Sequence, residues 1–478
     1  MVFNSFSFWL IYPILFLLYW AIPSNMNRTR NVYLLVISYL LYMNWKPTFA
    51  IVLLFVSFIT YIGAKFIETS PAPKRLCIVF ICLATLPLIC FKYYNFINNS
   101  VSDLLGLINL RFQLPGLNYA IPVGISFFSF QAVGYVFDVY HKRIPAEKDI
   151  VNFMLFVSFF PQITSGPISK ASELLPQIKK CHTFDLSQAK QGLQLLLWGM
   201  FLKVAIADRL GIFVDTVYNN YIHYNGASCL TASVFYTVQI YCDFAGYSLM
   251  AIGISKTLGF NLVDNFKRPY LATSITDFWK RWHISLTRWL TTHIYINLGG
   301  NRCSKFKQYK NIMVTFLVSG LWHGANWTFV IWGCIHGILQ IIEKILGLDP
   351  KGKYGNYKTD NPYLNAILIS LKTILTFSLV SFAWIFFRMD SVQDALHFIY
   401  KILVLSDGQT QGVRFVPVLI TMFIMLFGSE LSSEYLNGRF NLFSSPYKIV
   451  RWGSYLFTFA LVILYGVLDA SQFIYVSF

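Results

Sequence analysis

A polytopic, all-α membrane protein is the fold class this sequence predicts, and three observations predict it. Of its 478 residues, 56% are hydrophobic and 12% are charged, whereas a soluble chain carries about a quarter charged residues. Several apolar runs reach the roughly 20 residues a helix needs to cross a bilayer core. Those runs are nearly continuous, as in "NAILISLKTILTFSLVSFAWIFF", and lack the alternation of transmembrane β-strands.

Candidate spans fall at 6–22, 30–45, 48–66, 76–94, 121–140, 150–165, 190–207, 229–254, 311–323, 326–346, 364–387, 415–436 and 451–470. The first apolar stretch lacks a basic segment before it and a small-residue cleavage site after it, so it reads as a retained helix and not a signal peptide. The stretch 150–165 runs into "FFPQITSGPIS", where Pro161, Gly166 and Pro167 break a helix. A re-entrant segment is expected there, because irregular backbone at membrane depth must be buried in protein or line a cavity. Arg28 and Arg30, then Lys65, Lys74 and Arg75, then Lys142, Arg143 and Lys148 follow alternate early spans. By the positive-inside rule these loops are cytoplasmic and the N-terminus lies outside. Lys170, Lys179, Lys180 and Lys190 join them if 150–165 enters and leaves on one side. No internal repeat or low-complexity tract is evident. A single domain over 1–478 is therefore expected, with N-terminal helices over 1–115, a motif-bearing core over 116–395 and C-terminal helices over 396–478.

The formal charge of +17 is unevenly spread. Residues 255–310 hold ten Lys and Arg against Asp264 and Asp277, a net +8. With no soluble domain to form a groove, this charge belongs to cytoplasmic loops and not to nucleic-acid binding. The eight Cys are scattered without a CxxC pair, and the histidines form no short ligand motif with acidic neighbours. Neither a disulfide framework nor a metal site is expected.

Chemistry concentrates in two stretches. In "TDFWKRWHISLTRWL", Phe278, Trp282, Leu286 and Trp289 recur at helical spacing as one apolar face, with Arg281 and Arg288 on another. Such a helix suits the membrane interface. Alternatively, Lys280, Arg281 and their neighbours attract a phosphate-bearing substrate. In "GLWHGANWTFVIWGCIHG", His323 stands between Trp322 and Gly324, with Asn326 close behind. An ionisable residue inside a membrane points to function, and a buried neutral imidazole can take a proton as a general base. Position alone leaves this open against a histidine that joins two helices by a hydrogen bond. His336 lies 13 residues on, roughly 20 Å further along a continuous helix. It cannot share a site with His323 unless the helix breaks between them, and a structural role is expected. Asp208 and Asp243 are expected in hydrogen bonds or ion pairs.

The ordered motifs "PVGISFFSFQAVGYVFDVY", "FPQITSGPI", "CDFAGYSLMAIGISKTLGF", "ITDFWKRWHISLTRWL", "YINLGGNR", "GLWHGANWTFVIWGCIHG" and "FAWIFFRMDSVQDA" together resemble the membrane-bound O-acyltransferase family, and within it the bacterial alginate O-acetylase-like branch. The resemblance is strong over about 120–395. It implies a ring of roughly 11–13 membrane helices, with re-entrant and interfacial helices, around a thin central region. It implies His323 as a catalytic residue and His283 as its assistant. Lys280, Arg281, Arg288, Arg302, Trp322 and Asn326 become candidates for binding the donor or substrate, with Asn326 or a Trp N–H as an oxyanion donor. No bound cofactor is implied. Acetyl-coenzyme A would be the donor substrate, approaching from the cytosol of a bacterial inner membrane. The acyl group would move toward an exported polysaccharide such as alginate, directly or through a separate SGNH-like extracytoplasmic acetyltransferase. A D-alanyl transferase using a carrier-protein thioester and a lipid or glycan transporter are the alternative readings. The chain departs from the family pattern at Thr291, Thr292 and His293, where arginine, aspartate and tyrosine are common, and at Asn297 in "YINLGGNR".

Overall fold

Helices joined by turns make up the protein, and among the described residues the only β-type pairing is an isolated bridge between Tyr224 and Gln409. The computed structural model describes residues 3, 6–110, 113–352, 354–355, 359–436, 438, 443 and 445–467. In chain order the helices are α1 Phe6–Ala21, α2 Asn27–Met43, α3 Pro47–Thr69, α4 Pro73–Leu88, α5 Tyr94–Gly106, α6 Ile125–Tyr140, α7 Ile150–Ser158, α8 Ala171–Lys179, α9 Leu186–Met200 and α10 Asp208–Asn219. They continue as α11 Gly226–Thr257, α12 Ile275–Arg281, α13 Ile284–Leu290, α14 Lys305–His323, α15 Trp327–Leu346, α16 Pro362–Arg388, α17 Val392–Leu403, α18 Val416–Tyr435 and α19 Lys448–Tyr465.

Six stretches are long and apolar enough to cross a membrane: Pro47–Thr69, Pro73–Gly106, Trp327–Leu346, Pro362–Arg388, Val416–Tyr435 and Lys448–Tyr465. The protein is thus an all-helical, multi-pass membrane protein. Other expected spans are shorter or more polar. α1 is apolar over Ser7–Ala21. α11 runs 32 residues, but its middle carries the buried polar residues Gln239, Asp243 and Ser248.

Contacts divide the chain into two compact units. The first comprises residues 1–193 and 251–263. There α3 packs on α2, α4, α6 and α7. The expected helix break is present: α7 has nine residues, about 13 Å of helix, and turns follow from Phe159 to Gly166. Buried side chains satisfy this irregular backbone. Gln131 and Gln162 both donate to the Phe156 carbonyl, the latter over 3.2 Å, and Ser38 Oγ accepts from Phe160 N–H at 3.1 Å. Ser169 Oγ in turn donates to Gln162 Oε1 at 2.8 Å. Backbone groups shielded from water need such partners.

The second unit comprises residues 194–250 and the described residues from Asp264 to Val467. Its centre is the hairpin of α14 and α15, which packs on α12 and α16. Gly320 and Gly333 face each other across the hairpin. A Cβ at Gly320 would stand 2.3 Å from the Phe329 carbonyl, and one at Gly333 would stand 2.4 Å from that of Phe316. Only glycine permits so close an approach, the small-residue packing that membrane helices use. Asp208 and Asp243 both pair with the buried Lys203, the first at 2.7 Å. These acids therefore form the expected ion pairs, and the cluster ties the π-helical turn Phe201–Ala207 to α11.

Candidate active site

The junction of α12 and α13 holds His283. Ser274 caps α12 by accepting from Asp277 N–H at 3.0 Å, and the Glu343 carboxylate accepts from Ile275 N–H and, at 2.9 Å, from Thr276 N–H. These bonds satisfy donors a helix start leaves open. α12 ends at Trp282, and His283 then adopts φ +42° and ψ +54° before α13 begins. A left-handed conformation costs a non-glycine residue about 1–2 kcal/mol. Backbone bonds hold it there: Ile284 N–H donates to Asn265 O and Lys267 N–H to Arg281 O, each at 2.9 Å. Strain of this kind gathers at functional sites.

His323 is the last residue of α14. Gly324 follows because a Cβ there would lie 2.0 Å from the Phe329 ring. Asn326 then caps α15, accepting from Thr328 N–H at 3.1 Å and donating to Asp390 O at 2.7 Å. The two helices fold back at this break.

The fold brings the two histidines together. Both are buried, His283 at 0% and His323 at 2% exposure, with ring centroids 6.5 Å apart. Trp322 lies against both, at 5.6 Å from His283 and 4.9 Å from His323. Phe244 meets the His283 ring edge-on at 4.7 Å. Trp332 and Phe387 meet His323 at 5.0 and 5.2 Å. Burial pushes the His283 imidazole down to about 3 from its ordinary 6.5, since a charged ring loses its hydration there. His336 belongs to the same aromatic cluster. Because the helix breaks after His323, His336 and His323 both pack on Trp332, His336 at 4.9 Å. Its Nδ1 accepts from Trp279 Nε1–H at 3.3 Å.

Among the other candidates, Lys280 is exposed and lines a cavity of about 280 Å³, together with Trp279, Thr291, Tyr295, Ser319 and Lys344. Ser319 lies one helical turn before His323 on α14. Arg281 is held in ion pairs with Asp277 at 3.1 Å and Glu434 at 2.9 Å. Arg288 is half-buried on α13, Arg302 is exposed before α14, and neither lines the cavity. The amide of Asn326 is engaged as a cap. Thr291, the departure from the family pattern, is part of the cavity wall.

Trp332 and Trp384 lie in the quoted motifs without being singled out there, and Asn265 escapes sequence reasoning. Trp332 and Trp384 stack at 5.4 Å beside His323 and His336, and their indole N–H groups have no hydrogen-bond partner among the described residues. Asn265 bonds His283 at 3.1 Å across 18 residues of chain. Only its place between Asp264 and Phe266 in a basic segment marks it in the sequence.

A multi-pass helical membrane protein with paired histidines buried beside a broken helix is the class defined by this fold and site. The profile of the MBOAT, membrane-bound O-acyltransferase, family matches residues 77–348. The chain is 36% identical over 471 residues to the probable alginate O-acetylase AlgI of Pseudomonas putida, covering 95% of this chain and 92% of that one. It is 32% identical over 395 residues to the peptidoglycan O-acetyltransferase of Helicobacter pylori, covering 77% and 72%. Identity to the teichoic acid D-alanyltransferase of Streptococcus thermophilus is 27% over 275 residues, covering 55% and 62%. This chain belongs to the membrane-bound O-acyltransferase family. It is an acyltransferase, which sets aside the transporter reading.

Proposed function

We propose that this acyltransferase moves an acetyl group from a cytosolic thioester, acetyl-coenzyme A, across the bacterial inner membrane toward an exported polysaccharide. The acetyl group passes directly or through an SGNH-like extracytoplasmic partner. The observation that carries the reading is the buried pair of His283 and His323, ring centroids 6.5 Å apart, in a chain similar over 95% and 83% of its length to two probable alginate O-acetylases. His323 takes the proton of an acceptor hydroxyl as the oxygen attacks the thioester carbonyl. The tetrahedral intermediate collapses, the C–S bond breaks, and the departing thiolate receives the proton. The products are an ester and a free thiol. Trp332 Nε1–H, buried beside His323, is a donor for the developing oxyanion. The cavity with Lys280, Lys344 and Ser319 supports donor entry, its lysines facing a donor that bears phosphates.

Transfer of labelled acetyl from acetyl-coenzyme A, in membranes supplied with the extracytoplasmic partner, tests this. A positioned general base contributes about 10²–10⁴-fold. Folded His323→Ala is expected to lose at least about 100-fold, while His336→Ala retains transfer. Equal activity in His323→Ala and wild type returns that histidine to a structural role. If wild type consumes no acetyl-coenzyme A but accepts an acyl group from a carrier-protein thioester, the donor assignment gives way to D-alanyl transfer.

A further inference from the structure

The polar atoms around His283 determine where its proton sits. Asn265 is 1% exposed. Its Oδ1 accepts from Ser285 N–H at 3.2 Å and from Ser285 Oγ–H at 2.9 Å, and it faces His283 Nδ1 at 3.1 Å. Its Nδ2 donates to Ser248 Oγ at 3.1 Å. A backbone N–H can only donate, so the Asn265 atom facing Ser285 is the oxygen. A ring nitrogen facing that oxygen must carry the hydrogen. Phe244 and Trp322 hold the ring in place. The same reasoning gives His336 the opposite form: Trp279 Nε1–H can only donate, so His336 Nδ1 bears the lone pair and Nε2 the hydrogen.

We propose that Asn265 is a positioning residue that fixes His283 as the Nδ1–H tautomer, with its Nε2 lone pair kept as a hydrogen-bond acceptor. This rests on the reading of His283 and His323 as the reacting pair. A histidine so fixed accepts a hydrogen bond, from an acceptor hydroxyl or from the N–H of His323, and supplies none through Nε2. Ser248 on α11 and Ser285 on α13 keep the amide from turning over. Ser248, Asn265 and Ser285 thereby set the tautomer of one ring, the arrangement by which a partner of one histidine nitrogen determines the chemistry of the other.

Two measurements test the proposal. The first is the ¹⁵N spectrum of the imidazoles in the full-length protein in lipid, with His283 and His336 signals assigned by their loss in the alanine variants. His283 is expected to show a protonated Nδ1 and an unprotonated Nε2, and His336 the reverse. A His283 ring protonated at Nε2 overturns the proposal. This arm needs no turnover, so it answers even if acetyl-coenzyme A is the wrong donor. The second is a double-mutant cycle on transfer kinetics. Asn265→Leu is expected to lower kcat at least about tenfold with KM for the donor within about twofold, and Asn265→Leu/His283→Ala to be no slower than His283→Ala alone. Additive losses would mean that Asn265 acts as loop packing and not through the ring. Should Asn265→Leu fail to fold, the spectrum of the wild type decides alone. A wild type inactive with every thioester overturns the acyl-transfer site but leaves the tautomer assignment standing or falling on its own spectrum.

Discussion

At the residue scale, burial disfavours the charged form of the His283 imidazole. His283 lies between α12 and α13, and its proton affinity is driven down to about 3. In the unfolded chain it titrates near its ordinary 6.5. Below that pH the unfolded state binds more protons than the folded one. The contribution to stability is therefore complete above about pH 6.5 and is lost progressively as the pH falls toward 3. Thermal unfolding in detergent is expected to show a lower transition at pH 5 than at pH 7, and a shallower fall in His283→Gln. Identical slopes would mean that the ring is solvated in the folded protein. Asn265 shows how little of this is readable locally. Nothing in "LVDNFKRPY" sets it apart, because its role comes from a contact 18 residues away.

At the scale of elements, the hairpin of α14 and α15 decides where His323 points. The approach at Gly320 leaves no room for a Cβ, whose neighbour is backbone and cannot rotate away. Overpacking of this kind costs typically about 1–3 kcal/mol. Gly320→Ala is expected to destabilise the protein by that order in thermal unfolding. It is also expected to reduce acetyl transfer more than stability alone explains, because His323 lies one turn away on the same helix. Wild-type transfer in a destabilised Gly320→Ala would show that the site tolerates helix displacement. The double cap of α12 by Ser274 and Glu343 serves the other half of the pair. It anchors a seven-residue helix that is too short to hold itself in water.

For the whole molecule, the proposed entry of the donor rests on the charge distribution. Lys280 and Lys344 come from distant parts of the chain yet line one cavity. Exposed lysine contacts are worth up to about 1 kcal/mol each. The double variant Lys280→Ala/Lys344→Ala is accordingly expected to raise KM for acetyl-coenzyme A several-fold with kcat within about twofold, and added salt should reproduce the effect in wild type. An unchanged KM would place donor entry elsewhere. The wall residue Thr291 gives the departure from the family pattern a location on the same cavity.

Membrane class and helical fold were legible in the sequence by itself. Long apolar runs admit few structures in a bilayer, whereas position alone left His323 open between a chemical and a structural role, and only the ordered motifs singled out His283 and His323 together. The break at Pro161, Gly166 and Pro167 was legible as well, since proline and glycine act on their own backbone. Only the tertiary structure decided which polar groups meet. It engaged Arg281 with Asp277 and Glu434, made Asn326 a cap, set His336 against the same tryptophan as His323, and delivered Asn265 to His283. The contacts of Arg281 with Glu434, of Asn326 with Asp390 and of His283 with Asn265 join residues 18 to 153 positions apart through the packing of several elements, and no local periodicity or composition encodes them.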